Sequence, residues 1–333
     1  MEKFISLAHG DGGELSHRLI RNIFIEAFGD SKAAMFDAAE IALAGGQIAV
    51  TTDSFVIKPI FFPGGSIGKL AVAGTVNDLA VSGSIPAYLT CGFIIEEGFA
   101  VSDLKIIVSD MAKEAKETGV SIIAGDTKVV ERGSADGIYI NTTGIGIFKQ
   151  GISCSLEFKE GDAIIVSGTI GDHGVAVLTA RGDLGIFSPI KSDCASLNRM
   201  LRRVLDLSEG IRIMRDPTRG GLATTLVEIA EDFNLTMKIN ERSIPVKEEV
   251  QGVCDLLGFE PLYLANEGKA VLIVAEKEKE KILQMLKEFP EGRDAAIIGS
   301  IIGKEKGQLL LETPLGSKRL LTRLSGTMFP RIC

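Results

Sequence analysis

Asp37, Asp53, Asp78, Asp126 and Asp216 each stand among glycine and other small residues. Carboxylates are costly to pack together unless a positive charge neutralises them, and a bound metal does so. Hard oxygen ligands beside phosphates select Mg²⁺. Any one of these acids also fits a turn or a helix cap, the commonest use of such pairs as Gly-Asp. As a set of five they point to a metal–nucleotide site. A thiol stands apart from them, at the end of Met328-Phe329-Pro330-Arg331-Ile332-Cys333. Pro330 fixes the backbone and restricts Phe329 to an extended conformation. Met328, Phe329 and Ile332 give this segment apolar grip and Arg331 a charge to dock, so it can enter a groove and present Cys333. A frayed terminus is the plain alternative. Prenylation is excluded, because that signal places its cysteine four residues from the end. The adjoining carboxylate disfavours the thiolate, so a reactive Cys333 needs a positive or hydrogen-bonding partner elsewhere.

The elements that must position these groups are legible in pattern. The HGDGG run at 9–13 is too glycine-rich for regular structure; it feeds an amphipathic helix marked by Leu15, Leu19, Ile20, Ile23, Phe24 and Phe28. A glycine-rich loop at a helix start can hold phosphate, and a flexible arm is the other reading. Residues 48–57 read as a strand carrying Asp53, and 66–83 as a Gly/Ala-rich helix carrying Asp78. A helix at 102–118 and strands around it complete a first α/β unit near residue 150. A second unit starts at about Phe158, with a strand at 161–168 and a glycine-rich turn running into a helix over 216–233. The charged helix at 277–289 carries no function in this reading. A P-loop fails in GGSIGKL: the spacing is short and Leu70 replaces the metal-binding hydroxyl. The two units are expected to form an α+β pair, with 1–36 as arm and helix, 37–150 and 158–312 as domains, and 313–333 as a mobile tail.

Composition narrows the function classes. A net charge of −8 without a basic block argues against nucleic acid and anionic membrane surfaces. The N-terminus lacks an apolar signal core and no apolar run reaches membrane-spanning length, so a cytoplasmic protein is expected. Five scattered cysteines with no metal spacing offer neither a disulfide framework nor a structural zinc site. Three histidines make a histidine triad a poor candidate.

TTDSF with NDLAVSG, then AGDTKVV, then DPTRGGLA, in this order, resemble the aminoimidazole ribonucleotide synthetase (PurM-like) superfamily. HGDGG, SDCASLN, NEGK and the terminal PRIC resemble one branch of it, the HypE hydrogenase maturation family. The resemblance covers essentially the whole chain. It implies two PurM-like α/β domains, a homodimer built through the sheets of the first domains, and a flexible C-terminal tail. It also implies ATP and Mg²⁺, with Asp53, Asp78 and Asp216 as metal-binding acids. Asp37, Asp53, Lys58, Asp78, Asp126 and Arg219 would hold the nucleotide. In this family a HypF carbamoyltransferase loads a carbamoyl group onto the terminal cysteine, here Cys333. ATP then drives its dehydration from thiocarboxamide to thiocyanate, and the cyanide passes to iron held by a HypC–HypD complex. Lys128 and Glu267 are the candidates for polarising and deprotonating the thiocarboxamide; a surface ion pair is the plain alternative for each. The rivals are a selenophosphate synthetase or thiamine-phosphate kinase, which has no use for PRIC, and a non-catalytic carrier with inert acids.

Cys333→Ala is expected to bind ATP yet stay unmodified in a carbamoyl-donor system. Intact mass reads this, and labelling equal to wild type would move the nucleophile to another cysteine.

Overall fold

The computed structural model describes residues 13–25, 36–43, 46–149, 154–182 and 184–324, with the side chains of Phe24 and Ile25 left out. The expectations for HGDG at 9–12 and for the segment ending in Cys333 lie outside them. The first domain is a five-stranded sheet in the order β1 (Ala39–Leu43), β2 (Gly46–Phe55), β7 (Ile138–Ile147), β5 (Ile85–Glu96), β6 (Ser121–Val130). Only β5 and β6 run parallel; the other neighbours are antiparallel. A two-stranded ribbon, β3 (Phe61–Phe62) with β4 (Gly65–Ser66), leads into helix α2 (Ile67–Val81), after the N-terminal α1 (Glu14–Leu19).

Helix α2 starts where Ser66, in extended conformation, accepts a bond from the Lys69 N–H at 3.3 Å. It is apolar on every side and nearly all of it is buried, the pattern of a helix enclosed by other elements. One side lies on the sheet. There Thr75 Oγ1 meets Thr142 Oγ1 at 2.5 Å, and Gly144 admits the helix because a Cβ would press on Thr75 and Leu79. Helix α3 (Val101–Thr118) packs beside it. Its remaining side faces the second domain.

The second domain is a seven-stranded sheet in the order β14 (Lys318–Leu321), β13 (Gln308–Glu312), β10 (Thr236–Asn240), β12 (Ala296–Gly303), β8 (Ala163–Val166), β11 (Val271–Val274), β9 (Ile211–Arg215). Its helices are α4 (Asp172–Ala180), α5 (Asn198–Leu207), α6 (Gly221–Asp232), α7 (Glu248–Leu257) and α8 (Lys279–Lys287). Strands β8 and β11 are buried throughout and read as unbroken Ala/Ile/Val/Leu runs, as strands covered on both faces do.

The mobile tail expected from Thr313 is corrected over its first part. Residues 318–321 pair with β13 as the edge strand of this sheet, and Tyr263 Oη donates to the Thr322 carbonyl at 2.9 Å. The nine residues after Leu324 reach about 30 Å when extended, well short of the span of a tail freed at Thr313.

Buried polar contacts join the domains. On α2, Asn77 donates to the Ala195 carbonyl at 3.0 Å and accepts from the Leu197 N–H at 2.8 Å. Phe62 lies edge-on to His173, with centroids 5.5 Å apart. His173 is fully buried and its Nδ1 sits 2.8 Å from Ser192 Oγ. Burial pushes the imidazole down from 6.5 to about 4, against the pull of Asp193. The folded state therefore holds it neutral; that stabilisation is complete above pH 6.5 and is lost as pH falls through 4. Between those two pH values, wild type is expected to lose about 3 kcal/mol more unfolding free energy than His173→Gln, measured by denaturant titration. Parallel pH profiles for the two proteins would refute this account.

Candidate active site

A cavity of about 420 Å³ opens at the seam of the two domains, lined among others by Asp37, Thr51, Asp53, Asp78, Asp216, Arg219 and Glu267. Asp53 comes from β2, where alternation turns Thr51 and Asp53 to one side. Asp78 comes from the last turn of α2, and Thr51 Oγ1 donates to its Oδ2 at 2.8 Å. Asp37 arrives just before β1. The second domain supplies Asp216 and Arg219 from the turn between β9 and α6. That turn needs glycine: Gly220 and Gly221 have φ of +77° and +64°, and a Cβ on Gly221 would run into the Leu262 and Leu264 carbonyls.

Glu267 is set by its neighbours in the chain and across it. Asn266, wholly buried, accepts from the Gly171 N–H at 2.8 Å and donates to the Pro217 and Leu264 carbonyls at 2.9 and 3.0 Å. The Glu267 N–H donates to Asp193 Oδ1 at 3.2 Å, and its carbonyl accepts from Asn77 at 3.4 Å. The backbone of Glu267 is thereby tied to both domains, and its buried carboxyl lines the cavity.

The charges do not balance within this group. Burial, then the charges of Asp216, Asp37 and Asp53, raise the Asp78 carboxyl well above its usual range. Burial and the Asp37 charge push Asp216 up to about 8, with Arg215 opposing. Glu267 is raised well above the usual range by burial and then by Asp53 and Asp216. Burial also raises Asp53 and Asp37, opposed by Arg219 and Arg215 respectively. Arg219 NH2 stands 3.8 Å from Asp53 Oδ1. Arg215 is held charged against its burial by Asp37, at 2.6 Å, and by Glu228, at 3.3 Å.

Such a group has room for a cation. Among the described residues no three or more His, Cys, Asp or Glu side chains form a ready metal cage. Mg²⁺ keeps waters and takes one or two carboxylates together with phosphate oxygens, so it does not require such a cage. Asp53, Asp78 and Asp216 fit it by donor type and by their mutual repulsion.

The remaining expected residues are not brought here within one chain. Asp126 and Lys128 lie on β6, nearly all of it exposed, and pair with each other at 3.1 Å. The Lys128 hydrogen bond is the first of the causes that lower the Asp126 carboxyl. Lys58 pairs at 3.1 Å with Asp136, both well exposed, and like Asp126 and Lys128 is not among the cavity's lining residues. The sequence reading missed Thr51, Asn77, Asp193 and Arg215. Arg215 directly precedes Asp216, which was a usable signal; Asp193 and Asn77 had none beyond their motifs.

The families described as AIR synthase related protein, N-terminal domain, and AIR synthase related protein, C-terminal domain, match residues 33–148 and 159–312. Carbamoyl dehydratase HypE of Bradyrhizobium diazoefficiens is 47% identical, over 99% of this chain and 96% of that protein. The chain belongs to the HypE family. The HypE-family fold is seen in a crystal structure of a HypE–HypF complex, with TM-score 0.86 at 49% identity over 92% of this chain and 99% of that one. A HypE structure in complex with ATP has TM-score 0.83 at 46% identity, over 99% and 100%. Thiamine monophosphate kinase of Aquifex aeolicus, at 15% identity and TM-score 0.67, shares the fold alone. Among the described residues of this HypE-family chain no helix is long and apolar enough to cross a membrane.

Each raised acid contributes stability that is complete below its ordinary pKa and is lost as pH climbs through the raised value. Metal-free protein is therefore expected to melt lower at about pH 8 than at about pH 6, and Asp216→Asn, which removes the carboxyl raised to about 8, to reduce that drop. Scanning calorimetry in chelator reads this; an equal drop in both proteins would mean that Asp216 carries no charge strain.

Proposed function

We propose that this chain dehydrates a carbamoyl group carried on its own Cys333, with ATP as the second substrate. The observation that carries the reading is the burial of Glu267 in the same cavity as Asp53, Asp78 and Asp216. A HypF-like carbamoyltransferase would load the thiol. The γ-phosphoryl group of ATP passes to the amide oxygen, making it a leaving group. Loss of phosphate and of the nitrogen's protons leaves S–C≡N, with ADP and phosphate as the other products. A HypC–HypD complex would then take the cyanide onto iron, for a nickel–iron hydrogenase centre.

The chain's own groups suit these steps. Helix α6 begins at Gly221, after the N-cap Gly220, without a side-chain cap. The Gly221 N–H donates to the Thr218 carbonyl, and the N–H groups that follow in the first turn are the candidates to receive a phosphate, with Arg219 beside them. Asp53, Asp78 and Asp216 would hold Mg²⁺, which when bound offsets charge on the phosphates. Glu267 takes the proton: a carboxyl raised by burial is a stronger base than a free one. Its tie to Asp193 and Asn77 keeps it in place while the substrate segment moves. Water is kept from the reaction by the apolar side chains of Phe36, Phe55 and Leu70 on the same wall.

Lys128 enters this reading only through a second copy. The sheet face away from α2 exposes Tyr88, Ile94 and Ile147, and the edge strand β6 exposes Ile122, Ile123 and Val129. A homodimer closing on this face buries that surface and can carry Asp126 and Lys128 of one protomer toward the acids of the other. Lys128 would then polarise the amide oxygen, and Asp126 would join the nucleotide site.

Glu267→Gln is expected to retain ATP binding while dehydrating the loaded thiol about 100-fold more slowly or worse. Intact mass after loading and Mg-ATP addition follows the loss of one water. Wild-type speed in this variant would remove Glu267 as the base, and a loaded wild type that never loses water would overturn the whole reading.

A further inference from the structure

The two ends of the described chain meet beside the cavity. The Glu14 N–H donates to the Leu324 carbonyl at 3.2 Å, while the Leu324 N–H donates to Thr224 Oγ1 on α6 at 3.3 Å. Both backbone groups of Leu324 are thus taken, one by α1 and one by α6. Gly13 touches the same spot: a Cβ there would collide with the Leu324 carbonyl oxygen, a backbone atom that cannot turn aside. Its φ of −85° suits any residue, so Leu324 alone demands glycine at this position. Just before it, Arg323 pairs with Glu231 at 2.5 Å, its side chain only 10% exposed.

Helix α1 has six residues and runs on as a π-helix over Ile20–Ile25; a helical stretch of this length is marginal unaided. Its anchor is His17, whose Nε2 lies 2.7 Å from Glu228 Oε1 on α6. Glu228 is held ionised: burial opposes this, but the His17 bond and the Arg215 charge outweigh it. An ionised carboxylate only accepts, so the proton on this contact belongs to His17 Nε2. Helix α6 starts at Gly221, two residues after Arg219, and Thr224 lies within its first turn.

We propose that α1 clamps the root of the C-terminal segment against α6, and that His17 is the positioning residue that seats the clamp. The inference rests on the reading of Cys333 as the substrate carrier. With the root fixed at Leu324, the remaining nine residues start one helical turn from Arg219. A short tether fixed at that end holds a high effective concentration of its thiol at the cavity. Freed from α1, the tether lengthens back toward β14 and loses its direction, so the thiol visits the cavity less often.

The test uses the full chain loaded with a carbamoyl group, in Gly13→Ala, His17→Ala and His17→Gln. The first two variants are expected to dehydrate the loaded thiol about tenfold more slowly in a single turnover, with ATP affinity unchanged. His17→Gln, whose amide can still donate to Glu228, is expected to recover most of the rate. Tryptic cleavage after Arg323 should quicken in Gly13→Ala and His17→Ala and stay slow in His17→Gln. Wild-type dehydration in both Gly13→Ala and His17→Ala, or unchanged cleavage at Arg323, overturns the clamp. A fall in ATP affinity that matches the loss of rate also overturns it, since the damage would then be general. If the loaded wild type itself fails to dehydrate, the functional reading fails, while the cleavage comparison still decides on the clamp.

Discussion

Buried negative charge is the constraint on which this structure turns. Asp216 and Glu267 are buried and Asp78 is half-buried beside them, and each carboxyl is raised by burial and by neighbouring acids. Ion pairs place Arg219 at Asp53 and Arg215 between Asp37 and Glu228. A fold optimised for stability alone would neutralise or expose such acids. Their mutual repulsion is the cost of gathering them on one cavity wall, and on the proposed reading a cation and phosphates would offset it.

That arrangement survives because the scaffold around it leaves little room to relax. Helix α2 is packed on nearly every side, and Asp78, half-buried, is held by the Thr51 hydroxyl. Asn77, its neighbour, is bonded to the 193–197 segment, and Asn266 is bonded to the segment just before α6. These amides are uncharged, fully satisfied and buried, and they cross between motifs far apart in sequence. They hold the two halves of the site in one register without adding to its charge.

On the proposed reading, the chain available to carry the thiol is limited: 318–321 is an edge strand and Leu324 is bonded on both sides, so Cys333 lies nine residues beyond the last bonded position. A carrier that had to travel far would gain from a longer free segment. A substrate arm that must return to one nearby cavity gains from a short one.

Much of this was legible in the chain itself. Strand β2, helix α2 and the glycine-rich turn before α6 follow from period, capping and glycine placement, all local properties. The motifs NEGK and DPTRGG marked Glu267, Asp216 and Arg219, since turn chemistry and close backbone approach leave a trace in residue type. Local pattern has no access to which acids converge. Asp126 and Lys128 look like Asp53 and Asp78 in composition, yet the order β1-β2-β7-β5-β6 places them on the exposed edge strand, away from the cavity. The partners Asn77, Asp193 and Arg215 were likewise decided by packing between domains. So was the seat of Leu324 between α1 and α6, where a glycine at 13 matters only because a carbonyl more than 300 residues later lies against it. Residue type and spacing carry chemistry along the chain; charge coupling and steric fit depend on distances through space, which only the packed domains define.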